Sequence, residues 1–112
     1  MGVKRYTTKS NEEGGESGES FWFWCEGCNT NHRFVTKHPT GQTGPCWSFD
    51  GNIESPTFAP SLLCNRHATP EDVALGVHRC HLFLRKGMIE YLGDCTHHLK
   101  GQTVPAKVDR SG

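Results

Sequence analysis

The sequence carries no excess of charge: twelve Lys and Arg are matched by twelve Asp and Glu. Nothing in that balance marks a surface for nucleic acid or an anionic membrane. No apolar run approaches the roughly 18 residues that a membrane span requires. The opening "MGVKRYTTKS" lacks the apolar stretch of a secretory signal. There is no internal repeat and no composition break that would mark a second domain. These absences predict one soluble, cytoplasmic domain (host cytoplasm if phage-encoded), with no nucleic-acid or membrane partner.

What is present in quantity is cysteine and histidine, six and seven in 112 residues. In an exported chain, six cysteines would suggest three disulfides. Without an export signal the thiols stay reduced, and a C-x-x-C pair then reads as metal or redox chemistry. A chain of this length buries only a modest core, which a bound metal would help to fix.

Three segments are expected. Residues 1–20 end in the acidic, Gly/Ser-rich "KSNEEGGESGES", a flexible solvated stretch, after a possible edge strand in "VKRYTT". Residues 21–106 form a single zinc-binding, β-rich domain, and residues 107–112 a tail. "FWFWC" and "HRFVTKH" read as paired strands with Cys25 and Cys28 at their bend. The three tryptophans, Trp22, Trp24 and Trp47, are read as core residues or, failing that, as an apolar surface for a protein partner. Pro56 and Pro60 argue against a long helix or a central strand in "ESPTFAPSLL". "TPEDVALG" is one short helix near 70–75, with Thr69 as N-cap, Pro70 at the first position and Gly76 as the stop. "VHRCHLFLRKGMIEYLGDCTH" is a hairpin turning at Lys86–Gly87. The fold class is therefore mainly β, a small zinc-ribbon-like arrangement of hairpins with one short helix.

A turn at Lys86–Gly87 sets Arg85 opposite Met88, Leu84 opposite Ile89 and His78 opposite Cys95. Side chains alternate along each strand and cross-strand partners share a face. His78, Cys80 and Cys95 thus fall on one face, with His81 and Asp94 on the other. Cys25, Cys28, Cys80 and Cys95 then make two hairpin-borne pairs, a tetrahedral Zn2+ site. The competing reading of Cys80 is a small buried hydrophobe. Cys46 and Cys64 have no partner at ligand spacing and read as bystanders.

"FWCEGCNTNHRF", "WSFDGNIESPTFAPSLL" and "CHLFLRKGMIEYLGDCTHHLKGQTVP" resemble a family of small phage, prophage and bacterial proteins. Its members are often labelled "ammonia monooxygenase", a label that no redox-metal site or membrane segment here supports. The resemblance spans residues 21–106. Its matching positions are Cys25, Cys28, His32, Trp47, Gly51, Pro56, Thr57, Phe58, Pro60 and Ser61. They continue with Cys80, His81, Gly87, Asp94, Cys95, Thr96, His97, Gly101 and Gln102. Glu26 stands where relatives often carry proline. Some relatives are encoded beside bacterial ubiquitin-like conjugation genes, which implies a protein substrate or partner such as a ubiquitin-like conjugate.

Two functions are expected, the first implied by the resemblance and the second by the thiols. In the first, the protein is a zinc-dependent hydrolase, a metallopeptidase or isopeptidase that processes ubiquitin-like modifiers. Its catalytic set would be Glu54 as general base with His81, Asp94 and His97, and a mixed Cys/His shell using His97 or His81 would leave a position for water. In the second, four thiolates close the zinc shell, and the protein is a binding module with a purely structural ion.

Overall fold

The computed structural model describes residues 2–108; of the expected 107–112 tail, residues 109–112 lie outside the described residues. The described chain is mainly β, with nine strands in three sheets and one short helix. The first sheet has the order β1-β2-β3, built from β1 (Lys4–Thr8), β2 (Gly18–Cys25) and β3 (Thr30–Lys37). A two-stranded ladder joins β4 (Ser48–Phe49) to β5 (Phe58–Ala59). The third sheet has the order β6-β7-β8-β9: β6 (Leu62–Cys64), β7 (Cys80–Arg85), β8 (Met88–Tyr91) and β9 (Thr103–Pro105).

The edge strand expected in the N-terminal segment is β1, paired along its length with β2. β2 starts at Gly18, so "GES" is part of the sheet. The loop between them is tied down, with Ser10 Oγ donating to the Thr40 carbonyl at 2.7 Å and the Glu16 amide donating to Thr40 Oγ1 at 2.8 Å. The helix α1 (Pro70–Ala74) carries a complete capping box between Thr69 and Asp72.

Alternation decides the core. Along β2, Phe21, Phe23 and Cys25 are fully buried, while Trp22 and Trp24 point to the other face and stay partly exposed. The tryptophans are therefore not the core aromatics. The phenylalanines are, and the Arg33 guanidinium lies over the Trp22 ring at 5.6 Å instead. Phe34 of β3 stacks on Phe58 of β5 with ring centroids 4.3 Å apart. Leu82, Leu84, Ile89 and Tyr91 complete the buried face of the third sheet. Fully burying one such side chain contributes about 1.5–3 kcal/mol.

The β7–β8 hairpin has the expected register, with Leu84 opposite Ile89 and Arg85 opposite Met88. Lys86 and Gly87 both adopt positive φ, 50° and 76°, as a two-residue hairpin turn requires. Beyond Tyr91 the pattern changes. The Leu92 amide still donates to the His81 carbonyl, but the next bond runs from the Thr96 amide to the Arg79 carbonyl. The chain has gained two residues in a turn closed by the Cys95 amide on the Leu92 carbonyl at 3.3 Å. That small bulge decides which side chains reach the site.

Candidate active site and metal centre

On the inner side, the thiols of Cys25, Cys28 and Cys80 converge with the His97 ring, their ligand atoms all within 4.8 Å of one another. Cys25 ends β2, Cys28 follows in the turn, and Cys80 opens β7. Cys25 Sγ lies 3.9 Å from Cys80 Sγ, close to the roughly 3.8 Å edge of a tetrahedron with zinc–sulfur bonds of about 2.3 Å. His97 Nε2 is 3.3 Å from Cys80 Sγ. The Cys28 amide donates to Cys25 Sγ at 3.3 Å, the contact that makes a C-x-x-C bend a good thiolate holder. Gly27 is required there, because a Cβ at that position would collide with the His97 ring.

The protonation preferences suit a cation. Hydrogen bonding from Cys28, then from Cys80, holds the Cys25 thiol well below the ordinary thiol range, and hydrogen bonding with Cys25 pushes Cys80 above it. Burial lowers the His97 imidazole, keeping it in the neutral form that binds metal. His32 packs on the same sulfurs. Burial opposes its charge, yet the neighbouring sulfurs of Cys25, Cys28 and Cys64 push it up to about 12. Three thiols and a neutral imidazole at these separations could hold a metal ion, and the donor set is one that zinc prefers.

Cys95, expected as the fourth ligand, lies outside this group. Its Sγ donates to the His81 carbonyl at 3.2 Å and accepts from the His81 amide at 3.3 Å. The two residues added in the Leu92–Thr96 turn explain the exchange: the place opposite His78 that an unbroken hairpin gives to Cys95 belongs to His97, whose ring lies 5.9 Å from that of His78. His97, expected in the catalytic set or as a ligand of a mixed shell, is only 3% exposed and sits in the thiol cluster.

On the outer side of the same strand a second constellation forms. His81 Nδ1 lies 3.1 Å from Asp94 Oδ2, and His81 Nε2 lies 3.0 Å from Ser61 Oγ. A carboxylate only accepts hydrogen bonds, so Nδ1 carries the ring proton and donates to Asp94. In the neutral ring Nε2 is then an acceptor, and the Ser61 hydroxyl donates to it. The side chain of His81 is 25% exposed and that of Asp94 49%, so the line opens to solvent. Ser61 directly precedes β6, whose Leu63 lies opposite His81. Its carbonyl accepts from Trp47 Nε1 at 3.1 Å, which fixes the backbone beside the hydroxyl.

The sequence reading placed His81 and Asp94 together but missed Ser61 as their third member. The available signal was weak: a serine after Pro60 among the positions shared with the resembled family, in a loop with no recognisable nucleophile motif. Glu54, the expected general base, is exposed; its amide donates to Asn52 Oδ1 at 3.1 Å, and its carboxylate makes no contact with either constellation among the described residues. Cys46 is exposed, and Cys64 Sγ lies 3.6 Å from His32 Nδ1.

A sequence model of the family described as "Bacterial ubiquitination-like system serine protease (BubE)" matches residues 4–92. The chain belongs to this family. The matched stretch includes Ser61, Cys80 and His81 and stops two residues before Asp94. BubE membership places the chain in a protease family of a ubiquitin-like system, as the resemblance implied. The BubE description names a serine protease, where the expectation was a metallopeptidase. No curated protein and no solved structure matches the chain.

Proposed function

We propose that this BubE-family chain is a serine protease acting on a protein of a ubiquitin-like system, with Ser61 as nucleophile, His81 as general base and Asp94 as the orienting carboxylate. The observation that carries the proposal is the unbroken line Ser61 Oγ–His81–Asp94, with separations of 3.0 and 3.1 Å. Ser61 Oγ attacks the substrate carbonyl and passes its proton to His81 Nε2. Asp94 stays ionised and stabilises the resulting imidazolium. Collapse of the tetrahedral intermediate breaks the C–N bond, and the amine leaves with the proton from Nε2. A water, deprotonated by the same nitrogen, then hydrolyses the ester on Ser61.

The edge of β6 suits an extended substrate. The His81 amide and carbonyl are engaged on the β8 side of β7, by Cys95 Sγ and the Leu92 amide. His81 and Leu63 are therefore a pair not hydrogen-bonded to each other, and the Leu63 N–H and C=O point to the open side of β6. An extended peptide could pair there as an added strand, two residues from the nucleophile.

Zinc is the metal we assign to Cys25, Cys28, Cys80 and His97. Bound there it would supply a fold-stabilising cross-link from a shell closed by four protein ligands. The structural zinc of the binding-module reading and the hydrolysis of the enzyme reading thus belong to opposite faces of one sheet.

The test is reaction of the zinc-loaded protein with a fluorophosphonate, followed by peptide mapping. Wild type should be phosphonylated at Ser61, and Ser61→Ala should be unlabelled and unable to cleave ubiquitin-like conjugates. Conjugate cleavage by Ser61→Ala at the wild-type rate would overturn the assignment.

A further inference from the structure

We propose that the metal centre is the positioning device of the triad, holding Asp94 on His81 through Cys95 and Thr96; this rests on the triad reading above. Two of the three triad residues sit next to, or three residues from, a metal-site residue. Cys80 precedes His81 in β7, and His97 follows Asp94 by three. Asp94 itself belongs to no strand, since β8 ends at Tyr91, and its carboxylate is half exposed. A side chain in such a turn keeps a hydrogen-bonding geometry only if the turn is anchored at both ends.

One anchor is the Leu92 amide on the His81 carbonyl at 2.9 Å. Between the ends, Cys95 Sγ grips both the amide and the carbonyl of His81, and Arg79 Nε donates to the Asp94 carbonyl at 2.7 Å. Thr96 bonds Arg79 twice: its amide donates to the Arg79 carbonyl, and its Oγ1 accepts from the Arg79 amide, each at 3.0 Å. The far anchor is His97. Its Nε2 faces Cys80 Sγ, so an ion shared by these two ligands joins the end of the Asp94 turn to the start of the His81 strand. The cross-linked loop encloses both His81 and Asp94. Ser61 is held independently, by β6 and by the Trp47 indole. Loss of the ion would therefore loosen the His81–Asp94 bond and leave Ser61 in place.

This makes Cys95 and Thr96 positioning residues, and it predicts that metal and Asp94 act through one another. The experiment compares phosphonylation of Ser61 at saturating fluorophosphonate in four samples: wild type and Asp94→Asn, each zinc-loaded and chelated. Hydrogen exchange of residues 92–98 is followed alongside. Chelation should slow wild type about as much as Asp94→Asn does, by about 10³–10⁴-fold, and slow Asp94→Asn by less than about threefold. Exchange should rise in residues 92–98 while β7 and β8 stay protected. Thr96→Val leaves every ligand intact. It should keep its zinc and react about tenfold slower, again with little effect in the Asp94→Asn background. Equal slowing of wild type and Asp94→Asn on chelation would overturn the proposal while leaving the triad intact. So would a zinc-loaded Thr96→Val that reacts like wild type, and this arm decides alone if chelation unfolds the domain. A wild-type zinc-loaded protein that is not phosphonylated at Ser61 would sink the triad reading and this proposal with it.

Discussion

The inner and outer faces of the β7 sheet use neighbouring residues for opposite purposes. Cys80 turns inward to a buried cluster of sulfurs, and His81 turns outward to a serine and a carboxylate. Inside, groups crowd together and their proton affinities move far from ordinary values, with Cys25 pulled down and Cys80 pushed up. Outside, the polar line is open to water and held by hydrogen bonds to exposed elements. On the reading proposed above, the inner face fixes structure and the outer face receives the substrate.

The comparison breaks most sharply at the ligands and the nucleophile. Cys25→Ser should lose the metal and melt at a markedly lower temperature than wild type, because structural metal binding is coupled to folding. Ser61→Ala should keep its zinc and its melting temperature while losing turnover by about a million-fold, the scale for removing a triad serine. Zinc analysis, thermal melts and conjugate cleavage on both variants distinguish the faces. A Cys25→Ser protein with the zinc content and melting temperature of wild type would show that the inner face is not a metal centre.

A smaller effect is expected at Gly27. Gly27→Ala should push the His97 ring from the thiols and weaken zinc affinity about 10–100-fold, the range for changes just outside a ligand shell. Competition with a zinc chelator measures this directly.

Acidity should separate the faces further. Burial lowers the His97 pKa, so the native state binds its proton less readily than the unfolded chain. Stability of the zinc-free protein should therefore be unaffected by His97 above its unfolded pKa, about 6.5. It should fall as pH drops below that value, through the lower native one. His97→Gln should flatten this dependence in denaturant titrations followed across pH 5–7.

The smallest effects belong to residues on neither face. Cys46→Ala and Glu54→Gln should retain zinc, stability and cleavage at wild-type levels. A large loss of turnover in Glu54→Gln would restore that residue as a catalytic base.

Much of this could be read from the sequence, and the failures have definite causes. The hairpin register follows from Lys86–Gly87 and the alternation on either side, and with it the separation of Cys80 from His81 and Asp94. The C-x-x-C turn was equally plain. Cys95 falls among the thiols only if strand pairing continues past Tyr91; two residues loop out there and give the inward place to His97. Ser61 was missed because its position depends on contacts distant in sequence: β6 must lie beside β7, and the Trp47 indole must hold its carbonyl. No local spacing encodes either contact. The tryptophans of "FWFWC" read as core residues, whereas parity along β2 gives that place to the phenylalanines.

The adjacency of Cys80 and His81 makes the chain intolerant of small length changes in one place. A single codon inserted between His81 and the Lys86–Gly87 turn would shift the strand by one position and reverse every side chain upstream of it. The imidazole would then enter the sulfur cluster, and the Cys80 thiol would turn outward into the place of Arg79. One insertion would thus disable both faces together. Natural variation in length should therefore be confined to the stretch before β7 and the chain after His97, leaving residues 80–97 at constant length.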